Sequence, residues 1–352
     1  MSADRLVVQY SPLDADPEWD AFLESQNEGR HEQSSLWARA KSSTGWSVVR
    51  TLVKQESKIV AGFQLLWRTG PMGRRLGYVS FGPVVAFNAG DAAASAVQEL
   101  LREASVRKLD VLLIQPPPGA ETVETALREQ GCMANRIYSY ITATAVLDLG
   151  TSEDALLGAM RATTRQNIRR AMKSDLIFCE SGEHDLPGFY HLMEMTCRRQ
   201  GLRPNPANED VLATIWKLYH PLGKMRLFVV KSGSEIVSAG LLLAFGARAC
   251  IWKIGWSGRR RESKPNDLLH WGMIRQAKEE GYRLFDFCAI DPSVVAAANR
   301  DSVPTRLMKS PSFFKLGYGA AMVPYPTSLV FFRHGCVRAL YRLIHPLFRS
   351  RG

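Results

Sequence analysis

"VKQESKIVAGFQLL", Val53–Leu66, and "VKSGSEIVSAGLLL", Val230–Leu243, align without a gap, and this repeat decides the fold. Seven of fourteen positions are identical: Val53 with Val230, Lys54 with Lys231, Ser57 with Ser234, Ile59 with Ile236, Val60 with Val237, Leu65 with Leu242, Leu66 with Leu243. Each copy is a β-run, a polar turn and a second β-run, the pattern of a hairpin. The segments downstream of the two copies agree in kind. The first copy leads into the helical stretch "AAASAVQELLREASVRK" and the apolar run "LDVLLIQPP"; the second leads into "DLLHWGMIRQAKEEGYR" and "LFDFCAIDP". Each half therefore predicts strand, turn, strand, helix, strand. The copies stand too far apart for a solenoid. They predict a duplicated α/β domain with mixed sheets.

The rest of the 352-residue chain is read around that duplication. "TSEDALLGAM" offers Thr151 and Asp154 at capping-box spacing for a helix start, with a second helix from Thr163 or Thr164. The domain boundary is expected near residue 150, giving domains 1–150 and 151–324. After Pro324, "SLVFFRHGCVRALYRLIHPLFRSRG" reads as a basic, apolar C-terminal helix, 325–352, that completes the first domain. The longest apolar stretch, "IVSAGLLLAFGARACIWKIGW", is broken by Arg248 and Lys253 and is rich in strand formers. It reads as two strands and not as a membrane span. The start lacks a basic segment before an apolar core, so no secretory signal is expected.

Composition narrows the function classes. The chain is 46% hydrophobic and 22% charged, ordinary for a globular protein with a real core. Its six cysteines are scattered singly, which suits a reducing, cytoplasmic compartment. No His or Cys cluster has ligand spacing, so no metal is expected. The net charge of +11 points to an anionic partner: nucleic acid, a phosphorylated metabolite or a lipid surface.

Three basic groups carry that charge. Arg161, Arg165, Arg169 and Lys173 recur every four residues, either a solvated helix face or an anion-binding one. "SGRRRESKPND" puts Arg259, Arg260, Arg261 and Lys264 before a helix start, where free amides and the helix dipole favour phosphate. The glycine-rich pattern usual for a CoA pyrophosphate loop is absent there, and the charge could instead take an RNA backbone. The C-terminal helix carries Arg333, Arg338, Arg342, Arg349 and Arg351 and no acid. It suits an anionic membrane surface, or packing on the first domain with its arginines snorkelling. Near the end, "SPSFFKLGYG" sets Lys315 in an apolar, tightly turned stretch. Taken alone, it is a lysine at a strand end reaching water, or a cation held for an anion or a developing oxyanion.

With "QSSLWARAKSSTGW", "YVSFGPVV", "TRQNIRRAMK" and "LFDFCAIDP" before "SFFKLGYG", the chain resembles the Fem-type (FemABX) peptidyltransferases. These have two tandem GNAT-like acyltransferase domains, and the resemblance spans most of the chain. It implies transfer of an aminoacyl group from aminoacyl-tRNA to an amine of a lipid- or UDP-linked cell-wall precursor. The first domain would serve the acceptor and the second the donor. No cofactor is implied, and peripheral contact with the inner membrane surface is. The alternative is an acyl-CoA-dependent N-acyltransferase in exopolysaccharide or natural-product synthesis.

The resemblance also implies residue roles. Lys41, with Thr196 and Arg198, would bind the precursor phosphate. Phe314 and Lys315 match a pair implicated in catalysis. Arg259, Arg260, Arg261, Lys264 and Arg165 would hold donor phosphates. Asp286 and Asp291 are candidate bases. The chain departs from the family pattern in three places: Leu202 stands at an aromatic position, Cys288 and Ala289 where glycine is usual, and Gln115 where an acid is common.

Overall fold

The computed structural model describes residues 5–136, 138, 140–298 and 304–344. In chain order the elements begin with β1 (Val7–Ser11), α1 (Pro17–Ser25), α2 (Ser35–Ser42), β2 (Ser47–Gln55), β3 (Lys58–Thr69), β4 (Arg75–Ser80), β5 (Val84–Val85), α3 (Asp91–Val106), β6 (Val111–Gln115), α4 (Glu121–Glu129) and β7 (Met133–Ala134). Next come β8 (Ala143–Asp148), α5 (Glu153–Ala159), α6 (Ala162–Met172), β9 (Leu176–Ser181), α7 (Leu186–Arg199), α8 (Glu209–Tyr219), β10 (Met225–Ser232), β11 (Glu235–Phe245) and β12 (Arg248–Trp256). The chain continues with α9 (Pro265–Glu279), β13 (Leu284–Ala289), α10 (Pro292–Ala298), α11 (Thr305–Met308), α12 (Pro311–Leu316), β14 (Ala321–Pro324), β15 (Leu329–Phe332) and α13 (Gly335–Ile344).

Two units form, Met1–Thr142 with Tyr325–Gly352, and Ala143–Pro324. The first sheet has the order β1-β2-β3-β4-β6-β15-β7, with β5 on β3; the second has β14-β8-β13-β12-β11-β10-β9. Both are mixed sheets. β8 lies before residue 150 in sequence yet pairs with β13 and β14 in the second sheet. Its alternating apolar run fits either sheet, and pairing alone assigns it.

The repeated hairpins are duplicated down to a defect. In β2–β3 the register slips between Val53 and Lys54, and in β10–β11 between Val230 and Lys231. The residue left unpaired is Val60 in one copy and Val237 in the other, both identical in the repeat. A bulge of this kind bends and twists the strand, so both copies coil alike.

Each sheet packs its helices over its own core. Phe63, Leu65, Leu100, Leu112 and Leu329 are buried in the first unit, Phe228, Ile274, Phe285, Phe287 and Tyr318 in the second. Local signals differ from expectation in three places. The helix start near 151 is capped by the Ser152 hydroxyl, which accepts from Ala155 N at 3.2 Å. "SLVFF", expected as helix, is strand β15, inserted between β6 and β7; α13 begins only at Gly335. β-branched and aromatic residues at an open strand edge outweigh the helical pattern downstream. "SFFKL", expected as a strand end, is helix α12: the Ser310 hydroxyl accepts from Phe313 N at 3.1 Å and Pro311 opens the first turn. Arg349 and Arg351 lie outside the described residues. Among the described residues no helix is long and apolar enough to cross a membrane.

Candidate active site

The second sheet contains one parallel pair, β12 with β13, registered only over Arg248–Leu284, Ala249–Phe285 and Cys250–Asp286. Beyond that the strands part. Two irregularities flank the opening. One lies between Leu241 and Leu242, where β11 skips Trp252 of β12; the other lies between Asp286 and Ala289, where β13 gains a residue against β8. Cys288, inside the second bulge, has φ +57°. That left-handed conformation costs a side-chain-bearing residue about 1 kcal/mol and is why glycine suits the position. The Asp286 carboxylate holds the turn: Oδ1 accepts from Cys288 N at 2.7 Å and from the Thr144 hydroxyl, and Oδ2 pairs with Arg248 at 3.0 Å.

Lys315 sits at this opening. Its Nζ donates to Ala289 O at 2.7 Å, a carbonyl that lies past the last registered β12–β13 pair. Burial holds its pKa below the ordinary lysine value, against the opposing pull of Cys288 and Asp286. Phe314 packs edge-on to His270 at 4.9 Å and to Tyr318 at 5.5 Å. α12 is itself clamped from α6. Arg161 N donates to Gly317 O at 2.9 Å, Arg161 Nη2 to Phe313 O at 2.6 Å, and the guanidinium lies 3.6 Å from the Phe313 ring centre. A Cβ on Gly317 would come 2.6 Å from Thr164 Oγ1, so this glycine serves close helix approach.

Two groups that sequence reasoning missed face the same region. Lys253, on β12 beyond the parting, lies over the Trp252 ring at 5.1 Å and has no carboxylate partner among the described residues. Burial lowers its pKa, with the Cys288, Cys197 and Cys250 thiols opposing. A lone lysine inside the apolar run "CIWKIGW" was the available signal. His270 on α9 is buried, and its Nδ1 donates to Asn266 O at 2.7 Å, which leaves Nε2 as the acceptor. Burial first, and the neighbouring Lys315, push its pKa down to about 4. One turn away, burial raises Asp267 to about 6, against the Asn167 hydrogen bond at 3.2 Å and Lys264.

The other expected residues are dispersed. Lys41 on α2 belongs to the first unit, half-buried between the rings of Trp37 and Trp46 at 5.4 and 5.5 Å. In the same motif Gln33 is wholly buried; its Nε2 donates to Ser80 O at 2.7 Å and its Oε1 accepts from Gln64 N at 2.7 Å. Thr196 fastens α7 to β12, its hydroxyl accepting from Trp256 N at 2.9 Å and donating to Leu192 O at 2.9 Å. Arg198 is exposed at the end of α7. The loop before α9 leaves the carboxyl end of β12, the edge where parallel strands present ligands. There Arg259 pairs with Glu235 at 3.1 Å, Arg260 pairs with Asp175, Arg261 is exposed, and Lys264 caps α9 with φ +59°. Arg165 turns back to the carbonyls at the end of α5, Gly158 O at 3.1 Å among them. Asp291 is exposed and caps α10 by accepting from Ser293 N at 2.8 Å.

The equivalent parallel pair in the first unit, β4 with β6, is registered from Leu76–Val111 through Ser80–Gln115. Gly82 N then donates to Gln115 O at 3.0 Å, and Gln115 Nε2 to Ile141 O at 2.8 Å. No cleft opens between these strands.

Comparison with known proteins agrees with this plan. A FemAB family model matches residues 15–135, and an acetyltransferase (GNAT) domain model matches residues 158–293. The Lipid II:glycine glycyltransferase of Staphylococcus saprophyticus is 26% identical over 223 residues, 60% of this chain and 53% of that protein. The same-named protein of Staphylococcus aureus is 25% identical over 225 residues, 61% of this chain and 53% of its own length. The chain thus spans about half the length of these relatives. Among solved structures, FemX superposes with a TM-score of 0.77 at 20% identity, covering 96% of this chain and 99% of that one. L-PGS from Bacillus licheniformis gives 0.57 at 17%, covering 96% and 98%, and a tandem GNAT protein from the clavulanic acid pathway 0.50 at 12%, covering 93% and 98%. These likenesses are of fold. A FemAB match in the first unit and a GNAT match in the second, on two copies of one sheet plan, make the chain similar to Fem-type proteins and to tandem GNAT-like folds.

Proposed function

We propose that the chain is an acyltransferase moving an aminoacyl group from aminoacyl-tRNA to an amine of a lipid- or UDP-linked cell-wall precursor. The observation that carries this reading is the parted β12–β13 pair with Lys315 anchored at its mouth. The staphylococcal relatives, named as lipid II glycyltransferases, support the acceptor class.

In this reading a neutral amine attacks the ester carbonyl and an oxyanion forms. The Lys315 ammonium, held short of free solvent, stabilises that charge more in the transition state than in the ester. The C–N bond forms, the C–O bond to the tRNA ribose breaks, and the proton lost by the amine ends on the departing ribose oxygen, giving an amide and a free ribose hydroxyl. Asp286 has both oxygens engaged and holds the Cys288 turn; Asp291 keeps the base role. Phe314 fixes the lysine's direction through its ring contacts. Lys41, in the first unit, takes acceptor phosphate; in the second unit the exposed Arg198 is a separate phosphate ligand, with Thr196 positioning α7. Arg261 and Lys264, with Arg259 and Arg260 released from their acids, take donor phosphate; Arg165 shapes the α5–α6 turn. The first unit serves the acceptor and the second the donor. The chain works in the cytoplasm, at the inner face of the membrane where such an acceptor is held.

A second reading, acyl-CoA-dependent N-acylation, is favoured by the GNAT match over the parted strands. The pairing of Arg259 with Glu235 and Arg260 with Asp175 weighs against a preformed pyrophosphate cradle. Labelled aminoacyl-tRNA and labelled acyl-CoA, each offered with UDP- and lipid-linked muropeptides, separate the two. Transfer from charged tRNA is expected; transfer from acyl-CoA alone overturns the leading reading.

A further inference from the structure

One end of the first unit combines exposed apolar side chains with a helix whose charged residues are all basic. On α13, Tyr341 is the buried anchor: its hydroxyl donates to Ala134 O at 2.7 Å and accepts from Arg136 N at 3.0 Å, and its ring lies 5.0 Å from Phe332. Beside that anchor Val337, Leu340 and Leu343 follow at three-residue steps, 40%, 56% and 76% exposed. A helix that only packed on its own sheet would turn such residues inward. From residue 325 onward the sequence has no Asp or Glu, and it carries Arg333, Arg338 and Arg342 in the described part.

A second apolar point lies at the same sheet end. Met72, in the turn between β3 and β4, is 93% exposed. Asp110 ties the two features together. It accepts from Arg75 N at 2.8 Å, pairs with Arg74 at 3.5 Å and with His334 at 3.3 Å, and its carbonyl takes Arg333 N at 3.2 Å. Val106, 60% exposed, and Lys108 close the same end at the foot of α3.

We infer that this end of the first unit docks on an anionic bilayer, α13 lying in the headgroup layer and Met72 entering beside it. Charge complementarity selects the occupant. An acid-free helix bearing arginines is attracted by anionic headgroups, and exposed leucines gain by entering the acyl boundary. A second copy of the same surface would oppose like charges, and an RNA backbone would leave Leu340, Leu343 and Met72 in water. The inference deepens the reading of a membrane-borne acceptor, and its test does not use the reaction.

The test is sedimentation of the full chain with phosphatidylcholine vesicles, with and without phosphatidylglycerol. Binding is expected only with phosphatidylglycerol and is expected to weaken as salt is raised. Leu343→Glu and Leu340→Glu should each reduce the bound fraction roughly tenfold, and Met72→Glu about threefold, at unchanged unfolding temperature. Transfer to a water-soluble UDP-linked acceptor should be unchanged in these variants. Equal sedimentation of wild type and all three variants overturns the inference. So does a variant effect confined to self-association in light scattering, or to tRNA binding. Vesicle binding by a chain that transfers nothing leaves this inference standing and overturns the proposed reaction alone.

Discussion

The parallel pair β4–β6 and the parallel pair β12–β13 hold the same place in two copies of one plan. The first is registered from Leu76 to Ser80 and continued by Gly82 N on Gln115 O. The second stops at Cys250. A strand pair that closes satisfies its own amides and carbonyls and leaves a ligand nothing to bind between them. A pair that opens needs other partners, and in the second unit Lys315 has become one of them. The two units share one sheet plan; bulges in the second open its strands at the candidate site.

The largest test of that contrast is Lys315→Met against Lys41→Ala. Loss of a fixed cation at the open pair should lower kcat about 10²–10³-fold with acceptor affinity little changed. Loss of Lys41 in the closed unit should weaken acceptor binding about tenfold and spare kcat. Steady-state kinetics with a UDP-linked acceptor checks both, and equal effects on kcat would erase the division of labour. Lys253→Met sharpens the comparison. It should lower turnover about tenfold yet raise stability by up to about 1 kcal/mol in urea unfolding, because a half-buried ammonium without a carboxylate partner among the described residues is removed. A fall in stability would mean the open pair holds Lys253 favourably.

The smallest effect concerns pH. His270 has its pKa lowered from 6.5 to about 4, so its contribution to stability is complete above 6.5 and is lost as pH falls toward 4. Asp267 is raised from 3.8 to about 6, so its contribution is complete below 3.8 and is lost as pH rises toward 6. The two slopes oppose. His270→Phe should leave a stability that declines with pH over that range relative to wild type, and Asp267→Asn one that climbs. Each slope approaches at most about 1.4 kcal/mol per pH unit. Urea midpoints at several pH values read it.

The hairpin repeat was legible because identical residues, down to Val60 and Val237, encode the same bulge. Helices α3 and α9 were legible from their apolar spacing. What local pattern did not reveal was pairing. β8 could join either sheet by its sequence, and β15 was concealed ahead of an amphipathic helix. The open site was hidden for the same reason: it arises from register slips at Trp252 and Cys288, which no single segment displays. The unusual Cys288 was visible in sequence as a departure from glycine; only its φ explains why glycine fits. Lys253 and His270 looked like a broken apolar run and a dispersed histidine until the strands around them parted.

The insertion of β15 between β6 and β7 has a consequence for how the chain is made. Residues 143–324 are synthesised whole before β15 exists, and they contain every strand of their own sheet. The first unit, although it leaves the ribosome earlier, lacks an internal strand until Leu329–Phe332 has been made. Its β6 edge stays unpaired throughout that interval, an apolar strand waiting for its neighbour. The unit begun first is therefore the last to close, and cutting the chain after Pro324 would unmake its beginning.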